Sequence, residues 1–114
     1  MAEHEEQVAL MLMCQTDERL KWLYAIPNGG ARDVRVGVKM KAEGVKRGVA
    51  DLFLPLPVGD WHGCYVEMKH GKNKLTPEQA EFLEYVRSKG YYTAVCYSAE
   101  EAYAELMQYV DGAE

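Results

Sequence analysis

Long apolar runs are missing from this sequence. None approaches the roughly 20 residues that a membrane-spanning helix requires, so no such span is predicted. A basic leader is missing too, because the first residues read MAEHEEQ where a secretory signal would be cationic. Both absences predict an intracellular, cytoplasmic protein, in the host cell if a phage encodes it. Cysteine is scarce: Cys14, Cys64 and Cys96 are odd in number, widely spaced and set among apolar neighbours, without a CxxC. They read as small core residues, not disulfides or zinc ligands, and His4, His62 and His70 have no zinc-ligand spacing either. Walker A, GxGxxG and GxSxG strings and internal repeats are all absent, which removes nucleotide cofactors and the serine hydrolases of that type. Cations are outnumbered, 13 against 18 acidic residues, for a net charge of -5. That balance argues against a nucleic-acid partner only if the charge is evenly spread. It is not: Arg32, Arg35, Lys39, Lys41, Lys46 and Arg47 face only Asp33 and Glu43 in their segment, which stands at +4 and leaves the remainder at -9. A local basic stripe can hold a phosphate backbone on an acidic protein, and it can equally be a solvated loop.

What is present is one compact domain's worth of chain, residues 1–114, without an evident linker. Its organising stretch is Gly48 to Lys69, GVADLFLPLPVGDWHGCYVEMK. Two apolar runs, Val49 to Leu56 and Cys64 to Met68, flank the turn formers Pro57, Gly59 and Asp60, which predicts an antiparallel hairpin. Asp51 interrupts the first run, and Glu67 and Lys69 lie two apart in the second, hence on one face. Charges on such a face are costly to bury unless a metal or partner compensates them. Two carboxylates converging beside an ammonium make a divalent-metal site plausible; a solvated strand face is the alternative.

Around the hairpin the elements are predicted in order. Glu3 to about Trp22 lacks proline and glycine and carries Leu10, Met13, Cys14 and Leu20 at helical spacing, with Glu3, Glu5 and Glu6 suited to the positive end of a helix dipole. Leu23 to Pro27 reads as a brief strand ended by Pro27-Asn28-Gly29-Gly30, either an ordinary turn or a set of exposed N–H groups for a phosphate. Residues 33–47 are predicted to be an extended loop or a short helix around Lys39 to Glu43. Lys72 and Lys74 follow the hairpin in a polar connection, either touching phosphates or simply as solvated loop lysines. Thr76, Pro77 and Gln79 form a capping box that opens a helix running to Lys89, with Gly90 as its stop. Tyr91 to Tyr97 is a strand, and Ser98 with Glu101 opens a last helix, Ala99 to Val110. Tyr103 and Met107 on that helix suit a core or an interface. The sum is an α/β domain with a small mixed sheet, in the order αβββαβα.

Asp51 followed by Glu67-Met68-Lys69 resembles the PD-(D/E)XK nuclease signature, and GVKRGVADLF from Gly44 to Phe53 resembles its VRR-NUC branch. Asn28-Gly29-Gly30 with Arg32, and Gln79 and Gly90-Tyr91, extend the likeness over nearly the whole chain; the family's proline is replaced here by Ala50. The resemblance implies a restriction-endonuclease-like fold and a phosphodiester hydrolase using Mg²⁺ or Mn²⁺. It implies Asp51, Glu67 and the Met68 carbonyl as ligands, with a first-helix glutamate: Glu3, four residues before Gln7 as in the family, ahead of Glu6. Lys69 would position the attacking water or stabilise the transition state, and Gln79, beyond its capping role, would orient water or a ligand. Asn28, Gly29, Gly30 and Arg32 would grip phosphate, helped by Lys46, Arg47 and Lys72. Stand-alone members resemble Holliday-junction resolvases, which implies branched DNA as substrate and a homodimer. A chain of this kind suits a phage or bacterial protein.

Overall fold

The computed structural model describes residues 3–27 and 34–112. In chain order it holds α1 (Glu3–Cys14), a 3₁₀ turn (Glu18–Leu20), β1 (Tyr24–Ala25), α2 (Val34–Ala42), β2 (Leu52–Leu54), β3 (Cys64–Met68), α3 (Pro77–Ser88), β4 (Tyr92–Cys96) and α4 (Ala99–Val110). The predicted series is present, with α2 as an added helix. It begins earlier than the short helix foreseen around Lys39 to Glu43.

The first helix is shorter than its predicted extent to Trp22. Side chains that compete for backbone groups end it: the Thr16 hydroxyl donates to the Met13 carbonyl, and Asp17 accepts from the Arg19 N–H at 2.9 Å as cap of the 3₁₀ turn. After that break Leu20 and Leu23 are buried in the core. The opening of α3 follows its sequence signal, Thr76 Oγ1 accepting from Gln79 N–H at 3.2 Å and Gln79 Oε1 accepting from Thr76 N–H at 2.9 Å. Ser98 likewise accepts from the Glu101 N–H to start α4.

The four strands lie in the order β1-β2-β3-β4, antiparallel across the first two pairs and parallel between β3 and β4, with α3 as the crossover. Period two splits the sheet into two faces. Leu52, Leu54, Cys64, Val66, Met68, Ala94 and Cys96 are buried on the face covered by α1 and α4. Tyr103 and Met107 pack against that core, and the three cysteines are buried and free. Burial pushes the thiols up, to about 11 for Cys14 and about 12 for Cys64 and Cys96, so they are unreactive at neutral pH.

On the opposite face Phe53, Tyr65 and Thr93 lie under α3, with the Tyr65 and Phe82 rings edge to face at 5.1 Å and Arg87 donating to Thr93. Gly48 locks the approach to β2 against the start of that helix. Its φ is +90°, and a Cβ there would stand 2.7 Å from the Glu78 carbonyl carbon and oxygen. A rigid helix backbone cannot yield as a side chain would, so Gly48→Ala is expected to cost about 2 kcal/mol or more. Urea denaturation measures it, and an unchanged midpoint would refute the tight packing.

Candidate active site

Register brings the candidate residues together. Leu52 pairs with Val66 and Phe53 with Tyr65, so the next position along the ladder sets Asp51 opposite Glu67. Directly opposed side chains share a face with Cβ atoms about 5 Å apart, and like charges there repel. That face is the one under α3. The Asp51 main chain is occupied by the Ile26 N–H, which donates to its carbonyl at 2.8 Å. Its side chain reaches across to β3, where Oδ2 accepts from the Met68 N–H at 2.7 Å.

Glu67 is 2% exposed and Lys69 7%, so the pair is a buried one and not a solvated strand face. Lys69 Nζ stands 4.0 Å from Glu67 Oε2, a long ion pair, and Gln79 Nε2 donates to the same oxygen at 3.3 Å. The other oxygen, Glu67 Oε1, is buried without a hydrogen-bond partner. Burial above all, then the charge of Asp51 across the strands, push Glu67 up to about 8; Lys69 opposes this and Glu3 adds to it. At neutral pH Glu67 therefore keeps its proton when nothing else neutralises the charge around it.

An unpartnered buried carboxylate oxygen beside a second carboxylate is a hard-oxygen donor set and fits a small divalent cation. Among the described residues no three histidine, cysteine, aspartate or glutamate side chains stand together as a ready-made metal cage. Asp51 and Glu67 would thus be supplemented by main-chain oxygen such as the Met68 carbonyl, and by water, which Mg²⁺ and Mn²⁺ retain.

The two first-helix glutamates part company. Glu6 is buried with Oε1 accepting from the Ala99 N–H at 2.8 Å, so it caps the N-terminus of α4. Glu3, at the start of α1, is near enough for its charge to act on Glu67. Lys46 and Arg47 are exposed just before Gly48, whose contact with Glu78 sets them beside the N-terminus of α3 and hence near Gln79. Lys72 is exposed in the turn after β3, and no contact draws it to the carboxylates. The expectations for Asn28, Gly29, Gly30 and Arg32 fall outside the described residues. Sequence reasoning missed the aromatic row beside the acids, Tyr24, Phe53 and Tyr65; the period of two that paired Glu67 with Lys69 also places Phe53 with Asp51 and Tyr65 with Glu67. A broad hollow of about 530 Å³ lies on the outer side of α3, lined by residues such as Pro77, Ala80, Glu84 and Tyr85. It is away from Asp51 and Glu67.

Comparison with known proteins bears on the fold and the family. The VRR-NUC domain family model matches residues 3–100. A solved structure described as a "VRR_NUC domain protein" superposes with a TM-score of 0.85 at 24% identity, over 100% of this chain and 92% of that one. No curated protein matches the sequence.

Proposed function

This chain belongs to the VRR-NUC domain family and so carries a nuclease-type function, from which we propose a metal-dependent endonuclease that hydrolyses phosphodiester bonds in branched DNA. The observation that carries the proposal is Glu67 Oε1, buried and unpartnered opposite Asp51 and within the reach of Lys69. Asp51 and Glu67, with the Met68 carbonyl and Glu3, would hold Mg²⁺ or Mn²⁺. Such an ion, when bound, activates a water and neutralises charge developing on the scissile phosphate. Asp51 is oriented for this by the Met68 N–H, and Glu67 by Gln79. Lys69 keeps an ammonium beside the acids, where it positions the nucleophile or stabilises the pentavalent phosphate. Burial keeps that electrostatic effect strong.

Lys46, Arg47 and Lys72, with Asn28, Gly29, Gly30 and Arg32, would contact phosphates. Contacts of that kind position DNA without reading its bases, which favours recognition of shape. A four-way junction needs paired cuts, so a homodimer acting as a Holliday-junction resolvase is the natural form. Exposed Val8 and Leu12 on α1 are apolar surface that a second copy would bury.

The test is cleavage of labelled four-way junction, 5′-flap and linear duplex DNA with Mg²⁺, Mn²⁺ or EDTA. Cutting confined to the junction and abolished by EDTA is expected; preference for the flap, or nicking of the duplex, would replace the junction assignment. No cutting of any substrate with either metal would sink the enzymatic reading.

A further inference from the structure

We propose that Trp22 and Tyr24 form a stacking platform for a nucleobase outside the duplex, next to the phosphate that is cut. The inference rests on the nuclease reading above and names its substrate more closely: branched DNA in which a base at the cleavage point is unstacked.

Three rows cross the α3 face of the sheet. The opposed acids Asp51 and Glu67 form the middle one. On one side, three residues before Asp51, Gly48 holds the Lys46–Arg47 loop against the start of α3. On the other side, one strand step of two residues away and so about 7 Å along the sheet, comes the aromatic row. Tyr24 pairs with Phe53 and Phe53 with Tyr65. The rings touch in series, Tyr24 edge to face on Phe53 at 5.9 Å and Phe53 tilted on Tyr65 at 4.5 Å.

The row is half-buried under α3 at its Tyr65 end and opens at its Tyr24 end, where β1 is the sheet's edge. Tyr24 is 48% exposed there, and Trp22, two residues earlier, is 69% exposed. Aromatic side chains of this size are among the costliest to leave in water. Phe53 fixes the Tyr24 ring, so little entropy is lost when a planar partner stacks on it.

The order of the rows selects the occupant. A phosphate at the acids places the neighbouring backbone toward the cationic loop and leaves the other side of the nucleotide facing the rings. Aromatic rings take any base by its π-face, but only a base that is not already stacked in a duplex. The platform thus explains how a chain with little surface for base readout would distinguish a branch point from ordinary duplex.

The experiment measures binding without cleavage, in EDTA at constant salt, by fluorescence anisotropy. The probes are a labelled duplex carrying a bulge of unpaired thymines and a fully paired duplex of equal length. Trp22→Ala/Tyr24→Ala is expected to weaken binding to the bulged DNA about tenfold or more and to change binding to the paired duplex by less than about twofold. Trp22→Phe/Tyr24→Phe, which keeps two rings, is expected to retain the preference. Equal losses on both DNAs, or no loss on either, would overturn the platform. So would a shift in sedimentation of the alanine variant, which would assign the rim to contact between copies. Failure of the unsubstituted protein to bind either DNA would overturn the nuclease reading itself, and that outcome is distinct from the others.

Discussion

Under the proposed reading, Asp51→Ala and Asp51→Asn are expected to lower metal-dependent DNA cleavage by about a thousandfold or more, since both would remove a charged oxygen ligand worth several kcal/mol at the transition state. The two variants differ in stability. Asp51 Oδ2 accepts from the Met68 N–H at 2.7 Å, and alanine leaves that donor without its partner, at a cost of about 1–3 kcal/mol. Asparagine keeps an acceptor in place. A folded, inactive Asp51→Asn protein therefore separates chemistry from folding, and thermal melting beside the cleavage assay makes the distinction. Lys69→Met should behave similarly: it keeps an apolar stem in a buried position and removes the ammonium 4.0 Å from Glu67. Wild-type cleavage by Asp51→Asn would end the assignment of the site.

Glu67→Gln is expected to abolish cleavage and yet stabilise the metal-free protein at alkaline pH. The sign follows from proton linkage. Glu67 is raised from 4.5 to about 8 in the folded state, so between those values the native protein keeps a proton that the unfolded chain has released. The stabilising contribution is fully present below about pH 4.5 and is lost as the pH rises through about 8. At about 1.4 kcal/mol per pH unit, the loss is of order 5 kcal/mol. Glutamine has nothing to titrate, so the variant should match the unsubstituted protein at pH 5 and melt at a higher temperature at pH 9. Under the proposed reading, adding Mg²⁺ or Mn²⁺ at pH 9 restores the unsubstituted protein and leaves the variant unchanged. Parallel melting curves from pH 5 to 9 would show instead that the buried carboxyl is not under electrostatic stress.

Much of this was legible because the signals are local. Turn formers between two apolar runs specify a hairpin, and Thr76-Pro77-Glu78-Gln79 specifies a helix start that the structure reproduces bond for bond. Where local signals compete, sequence reading fell short. Leu20 continues the helical spacing of α1, but Thr16 and Asp17 take backbone groups for themselves and end the helix at Cys14. Glu6 has the helical position of a candidate ligand, and its partner, Ala99, lies 93 residues away; no spacing rule reaches that far.

The order of elements, the face shared by Glu67 and Lys69, and the membership of the family's motif were determined by the sequence alone, since each depends on periods of two or 3.6 residues and on short strings. The tertiary structure decided what those residues meet. It set Asp51 opposite Glu67 through the β2–β3 register, made the capping Gln79 a donor to Glu67 as well, and left Glu67 Oε1 buried and unpaired. Burial and opposition across strands are properties of distant segments packed together, and they convert three charged residues in an apolar run into a site under stress that a cation would relieve.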